Sequence, residues 1–211
     1  MHAEYLSHMG DDLAVVNAAR VSLAKYKFDF DDTDERLIAY LAKHGHWSPF
    51  SHPQVTLRIS APVFVARQWW RHQVGVARNE VSRRYVDDAP SFYRIETWRR
   101  RPAGSIKQGS GGPLDAHQQF AIKRKVSEAE NQCRLLYDNL IAQGVAPEQA
   151  RSILPQSMLT EWIETGSLAY FARACGQRLD DHAQAEVREL AEQVSVILSP
   201  LFPVSWGALV P

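Results

Sequence analysis

Between Arg71 and Tyr85 the chain reads RHQVGVARNEVSRRY, four arginines with a histidine, an Asn-Glu pair, a serine and a tyrosine. A guanidinium stays charged and presents its N–H groups as a fork that meets phosphate or carboxylate oxygens two at a time. Arg71, Arg78, Arg83 and Arg84 therefore suggest a site for one or more phosphorylated small molecules. Asn79 and Glu80 add acceptors for sugar hydroxyls or ring N–H groups, and Ser82 and Tyr85 add neutral donors. The same composition also fits a solvated or salt-bridged face. The chain has no Gly-rich phosphate loop that would separate the two readings.

Other reactive groups are few. The two cysteines, Cys133 and Cys175, have no evident base beside them and read as structural. Ser82 lacks a triad-like companion, and an unactivated hydroxyl attacks poorly. His44, His46 and His52, or Asp180, Asp181 and His182, are candidates for a metal. With neither paired cysteines nor an H-E-x-x-H pattern, no metal is expected, and His44 at a helix end is explained by the dipole. Trp69 and Trp70 read as core or subunit contact rather than a stacking platform.

At 211 residues, with 45% hydrophobic and 23% charged residues, the chain has the size and balance of one large globular domain or two small ones, and a single domain spanning 1–211 is expected. Zero formal net charge, with acids such as Glu80 interleaved among the arginines, argues against a nucleic-acid module. No apolar run reaches a membrane span and no leader opens the chain, so a soluble cytoplasmic protein is expected.

DTDERLIAYLAKHG predicts a helix capped by Asp32 or Thr33 and stopped at Gly45. QVTLRIS alternates Val55, Leu57 and Ile59 with polar residues, which predicts a strand with one buried face. Pro62 fits the first turn of the next helix, APVFVARQWWRH, so the arginine-rich segment starts at a helix end and continues as irregular or extended chain. Residues 100–114, rich in Gly, Pro and Ser, predict a mobile loop. Further helices are expected from about Gln119 to Gly144, with a stripe of Ile122, Val126, Ala129, Cys133 and Leu136, from Pro147 to before Pro155, and over Leu159–Ala174. A last one carries Ala183, Val187, Leu190, Val194 and Ile197. The fold class is α+β, a mainly antiparallel sheet with long helices.

In order, the arginine-rich segment resembles the signature of flavin-dependent thymidylate synthases (the ThyX family): Arg-His-Arg, a spacer, then Asn-Glu-x-Ser-x-Arg-Tyr. AARVS (18–22), KHGHWSPFSH (43–52), APVFVARQWWRH and DDHAQAEVR (180–188) resemble further family blocks in family order. Two positions depart from the pattern. Gln73 stands where the family has an arginine that helps hold the flavin phosphate, and eight residues rather than seven separate it from Ser82, the extra one falling in the turn around Gly75.

The resemblance implies C5 methylation of dUMP to dTMP, with methylenetetrahydrofolate as carbon donor, FAD as carrier and NADPH as reductant. It also implies a homotetramer with active sites shared between subunits. By the same resemblance Gln68, Arg71, Glu80, Ser82, Arg83, Arg84, Tyr85, Arg151 and Arg178 are nucleotide-binding. Ser22, Ser48, Arg71, His72, Gln73, Val74, Glu80 and His182 lie on the flavin side. Arg178, Ser82 and His46 form the expected catalytic group, Arg178 polarising the pyrimidine. For Ser22 and Ser48, helix or turn capping is an equal alternative. The altered signature keeps open a second acceptor, the ribonucleotide UMP, as in methylases of nucleoside-antibiotic biosynthesis, and a flavoprotein without catalysis.

Overall fold

Alternation decides the central strand, β2 (Gln54–Pro62): Val55, Leu57 and Ile59 are fully buried while Arg58, on the opposite face, is exposed. The computed structural model describes residues 1–86, 88–103 and 109–210. It sets β2 between β1 (His2–Met9) and β4 (Leu159–Ser167), with β3 (Val76–Glu80) beyond β4, and every pairing is antiparallel. Around this sheet lie α1 (Asp12–Arg20), α2 (Asp32–Lys43), α3 (Val63–Trp69), α4 (Ala116–Ala142), α5 (Pro147–Ala150), α6 (Leu168–Arg178), α7 (Ala185–Leu198) and α8 (Pro203–Leu209). The α+β class expected from sequence is the class observed.

The β2–β4 register puts Val55 opposite Gly166, Leu57 opposite Glu164 and Ile59 opposite Trp162, so buried residues face one another across the pair. Trp69 of α3, Phe171 of α6 and Leu190 of α7 join the same core, each fully buried. Trp70 packs edge-on against Trp162, with ring centroids 5.4 Å apart. The tryptophan pair is therefore core.

Several sequence expectations are corrected. Leu159–Ala174 is not one helix but a strand followed by a helix: β4 ends at Ser167, whose Oγ accepts from the Tyr170 amide and caps α6. The cap of α2 is Asp31, not Asp32 or Thr33. Its carboxylate accepts from the Thr33 amide while Asp34 reaches back to the Asp31 amide. Pro62 closes β2 with extended backbone and stands just before α3 rather than in its first turn. On α4 the expected stripe is only partly covered: Leu136 is exposed, and the buried positions are Glu130 and Tyr137.

Of the 100–114 loop, residues 104–108 lie outside the described residues. Its flanks are held rather than loose. Arg100 and Gly112 pair through their backbones, and the Arg99 guanidinium donates to Glu186 of α7 at 2.7 Å. Burial alone would raise the Glu186 carboxyl pKa, but donors from Gln184 and Arg99 outweigh it and hold the group below the usual range.

Candidate active site

The signature segment is fixed at both ends by structure its sequence does not display. After α3 the chain turns at Gly75, whose φ of +82° belongs to the left-handed region. A Cβ there would come within 2.9 Å of Ser167 Oγ. The Ser167 amide donates to the Gly75 carbonyl at 2.9 Å, docking this turn, and with it the extra spacer residue, on the start of α6. β3 then pairs with β4 in a register that sets Arg78 opposite Glu164.

Arg78 consequently turns inward. Its Nε donates to Glu164 Oε2 at 2.8 Å, and its terminal nitrogen donates to the His72 carbonyl and the Tyr170 hydroxyl, each at 2.7 Å. Trp69 and Trp162 donate their indole N–H groups to the same carboxylate at 2.9 and 3.1 Å. Burial, and next the neighbouring Glu164, push the Tyr170 hydroxyl well above its ordinary pKa, so it stays a donor. One of the four forks is thus structural, which sequence reasoning missed because it took β4 for helix.

Beyond β3 the chain enters a turn at the mouth of a cleft of about 460 Å³. Glu80, Ser82, Arg83 and Arg151 all line it, four expected nucleotide residues from three elements. Thr160 donates its hydroxyl to Glu80 Oε1 at 2.6 Å, fixing that carboxylate. Arg83 bonds the Asp88 carbonyl and lies over the Tyr137 ring, 5.9 Å from its centroid. Arg84 and Tyr85 are outside this cleft. They stack on each other at 5.2 Å, and Arg84 comes 3.7 Å from Glu148.

Gln68, Arg178 and His182 line a second cleft of about 620 Å³. Arg178 Nε donates to His72 Nε2 at 3.1 Å, and another of its nitrogens donates to the Gln68 carbonyl at 3.2 Å. The remaining guanidinium N–H groups make no hydrogen bond among the described residues. Burial, then the nearby Arg71, lower the Arg178 pKa. His182 pairs with Asp180, whose carboxyl is held below its usual range by the His182 amide and ring.

His72 is only 7% exposed. Burial first, then the charges of Arg178, Arg173 and Arg78, push its pKa down from 6.5 to about 4. It is therefore neutral at pH 7, with the lone pair of Nε2 turned to Arg178. Between about pH 4 and 6.5 the unfolded chain binds the proton and the folded one does not, so stability falls on acidification through that window. The full loss is roughly 3 kcal/mol. We expect His72→Gln to flatten the melting-temperature profile between pH 4 and 6.5 relative to the parent; identical profiles would show that His72 is not held neutral.

Ser22, His46 and Ser48 gather at a third cleft of about 840 Å³ below the end of α2. Ser22 donates to the Ala19 carbonyl at 2.9 Å, whereas Ser48 caps nothing through its side chain. Trp47, 67% exposed, borders this cleft and a fourth of about 400 Å³ that includes Val74 and Gly75. Arg71 and Gln73 are exposed and line none of these clefts. The expected site residues are thus divided among separate surfaces of one chain.

The cysteines differ in setting, and neither thiol is hydrogen-bonded to a base among the described residues. Cys175 is buried, its thiol bonds weakly to the Ala191 carbonyl at 3.7 Å, and burial followed by Glu164 pushes its pKa well up. Cys133 sits half-buried on α4. Among the described residues no three His, Cys, Asp or Glu side chains gather as a metal site, and no helix is long and apolar enough to cross a membrane.

Residues 4–204 match the family model described as "Thymidylate synthase complementing protein". The chain belongs to the flavin-dependent thymidylate synthase family, enzymes of methyltransferase type. It is 37% identical over 203 residues to the flavin-dependent thymidylate synthase of Thermus thermophilus, covering 96% of this chain and 73% of that one. It is 36% identical over 200 residues to that of Thermosipho africanus, covering 95% and 86%. Among solved structures it is similar to the UMP/dUMP methylase PolB of Streptomyces cacaoi. With 5-Br dUMP bound the TM-score is 0.86 at 30% identity, covering 98% of this chain and 93% of that one; with 5-Br UMP it is 0.88 at 28%, covering 99% and 93%.

Proposed function

We propose that the protein methylates uracil C5 of a uridine monophosphate nucleotide, dUMP to dTMP. Methylenetetrahydrofolate is the carbon donor, FAD the carrier and NADPH the reductant. The observation that carries this reading is the convergence of Glu80, Ser82, Arg83 and Arg151 on one cleft, in a chain whose two thiols are hydrogen-bonded to no base among the described residues. Arg83 and Arg151 supply charge for a phosphate, and Ser82 a neutral donor. Glu80, oriented by Thr160, accepts from a sugar hydroxyl. Arg178, steadied by neutral His72 and the Gln68 carbonyl, directs unspent N–H groups at a pyrimidine carbonyl where negative charge grows.

The donor set also suits a flavin dinucleotide. Arg71 and Arg173 make no ion pair among the described residues, and Trp47 offers an exposed ring between two clefts. Reduced flavin, when bound, would supply the hydride that takes the transferred one-carbon unit from the methylene to the methyl level, with NADPH restoring the flavin. Ser22, His46, Ser48, His72, Val74 and His182 are the remaining groups placed on its side.

The division of these groups among clefts supports a homotetramer in which each site draws residues from several subunits. The exposed Val21, Leu23, Tyr26 and Phe28 suit burial against another copy. A second reading, UMP as acceptor, is favoured by the likeness to PolB, a protein described as acting on both nucleotides. Purified protein should turn yellow with FAD and transfer methyl groups faster to dUMP than to UMP, read by product chromatography. Faster transfer to UMP selects the second reading, and failure to bind FAD removes both.

A further inference from the structure

The fourth cleft, walled by Trp47, Gly75, Val76 and Tyr170, is lined by uncharged residues except at one point. Arg173, on the exposed side of α6, donates a terminal N–H to the Val74 carbonyl at 2.7 Å. That bond holds the guanidinium over the turn that follows Gln73. Among the described residues Arg173 has no carboxylate partner, unlike Arg78, Arg99 and Arg188. A cation held in place in a concave, otherwise neutral surface, with most of its fork unspent, is arranged to receive an anion.

We propose that Arg173 is the anion anchor of this cleft, taking the pyrophosphate of the flavin dinucleotide beside a signature whose third position, Gln73, carries no charge. The assignment rests on the flavin reading above and adds a residue that the signature does not contain. Three features fit it. The cleft's volume of about 400 Å³ accommodates part of such a ligand, with the remainder extending past Trp47 into the adjoining cleft. Trp47 gives a flat apolar face at the junction. Arg173 also adds to the positive field that keeps His72 neutral, so the region favours anions over cations.

The test is equilibrium titration of the full chain, followed by flavin fluorescence, with FAD and riboflavin as separate probes and dUMP binding measured by calorimetry. Arg173→Gln should weaken FAD by about ten- to a hundredfold, the worth of one charge-assisted contact, and leave riboflavin and dUMP unchanged. An unaltered melting temperature in that variant would accompany the result, since Arg173 is exposed. Equal FAD affinity in parent and variant overturns the assignment of Arg173 alone. Loss of dUMP rather than FAD binding overturns it by giving the anchor to the nucleotide phosphate. A parent that binds no FAD overturns this proposal together with the flavin reading.

Discussion

Arg178→Ala is expected to reduce methyl transfer by about a hundred- to a thousandfold or more while the protein stays folded, measured as release of tritium from uracil C5 alongside a melting curve. The size follows from the role proposed for the side chain. A donor aimed at a developing negative charge in a site screened from water typically contributes that factor when it is removed alone. The fold should survive because the hydrogen bonds lost go to a neutral imidazole and a backbone carbonyl, leaving no orphaned charge. Arg178 also ends α6, where a cation complements the dipole, but that contribution is small. Arg178→Lys is the informative partner: it keeps the charge and loses the fork, so it should recover little activity if two N–H groups act together. An unchanged rate in Arg178→Ala would show that the pyrimidine is polarised by another group.

What the sequence displays and what it hides divide along physical lines. β2 is legible because its buried face is apolar at every second residue, Val55, Leu57 and Ile59. Its partner β4 has the same burial pattern, yet the buried positions are Thr160, Trp162, Glu164 and Gly166. No single-sequence rule expects a fully buried glutamate in mid-strand. Its burial is licensed by Arg78, 86 residues away, and that pairing exists only once the β3–β4 register is known.

The site shows the same division. The ordered blocks around Arg71–Tyr85 and Asp180–Arg188 stand out locally, so candidate nucleotide and flavin residues could be nominated by position. Their partition among clefts could not, because His72 meets Arg178 across 106 residues of sequence. Arg173 was invisible for a related reason: on α6 it is one more exposed arginine, and only the docking of the Gly75 turn onto that helix brings it to Val74. The capping of α2 was missed by one residue, since three neighbouring oxygens, on Asp31, Asp32 and Thr33, are equally good candidates before the backbone geometry is fixed.

Glu164→Gln is expected to be the most damaging conservative change in the chain. The carboxylate is fully buried and accepts from Arg78, Trp69 and Trp162, with the Tyr170 hydroxyl at 3.4 Å. Gln keeps the shape but leaves the Arg78 guanidinium, whose side chain is 16% exposed, without its counter-charge. Breaking a buried pair on one side costs about 3–5 kcal/mol, which for a chain of this size lowers the melting temperature by roughly 6–20 °C at fixed protein concentration. Replacing both partners, Arg78→Met with Glu164→Leu, removes the stranded charge and should restore a large part of that loss, although two indole N–H groups then lack an acceptor. A Glu164→Gln variant that melts with the parent would mean that water or another group satisfies Arg78. The same nitrogen of Arg78 that meets Tyr170 also holds the His72 carbonyl, and His72 in turn receives Arg178. Activity of Glu164→Gln should therefore fall even well below its melting point, because the interior ion pair is what sets the backbone on which Arg178, the arginine proposed to face the pyrimidine, rests.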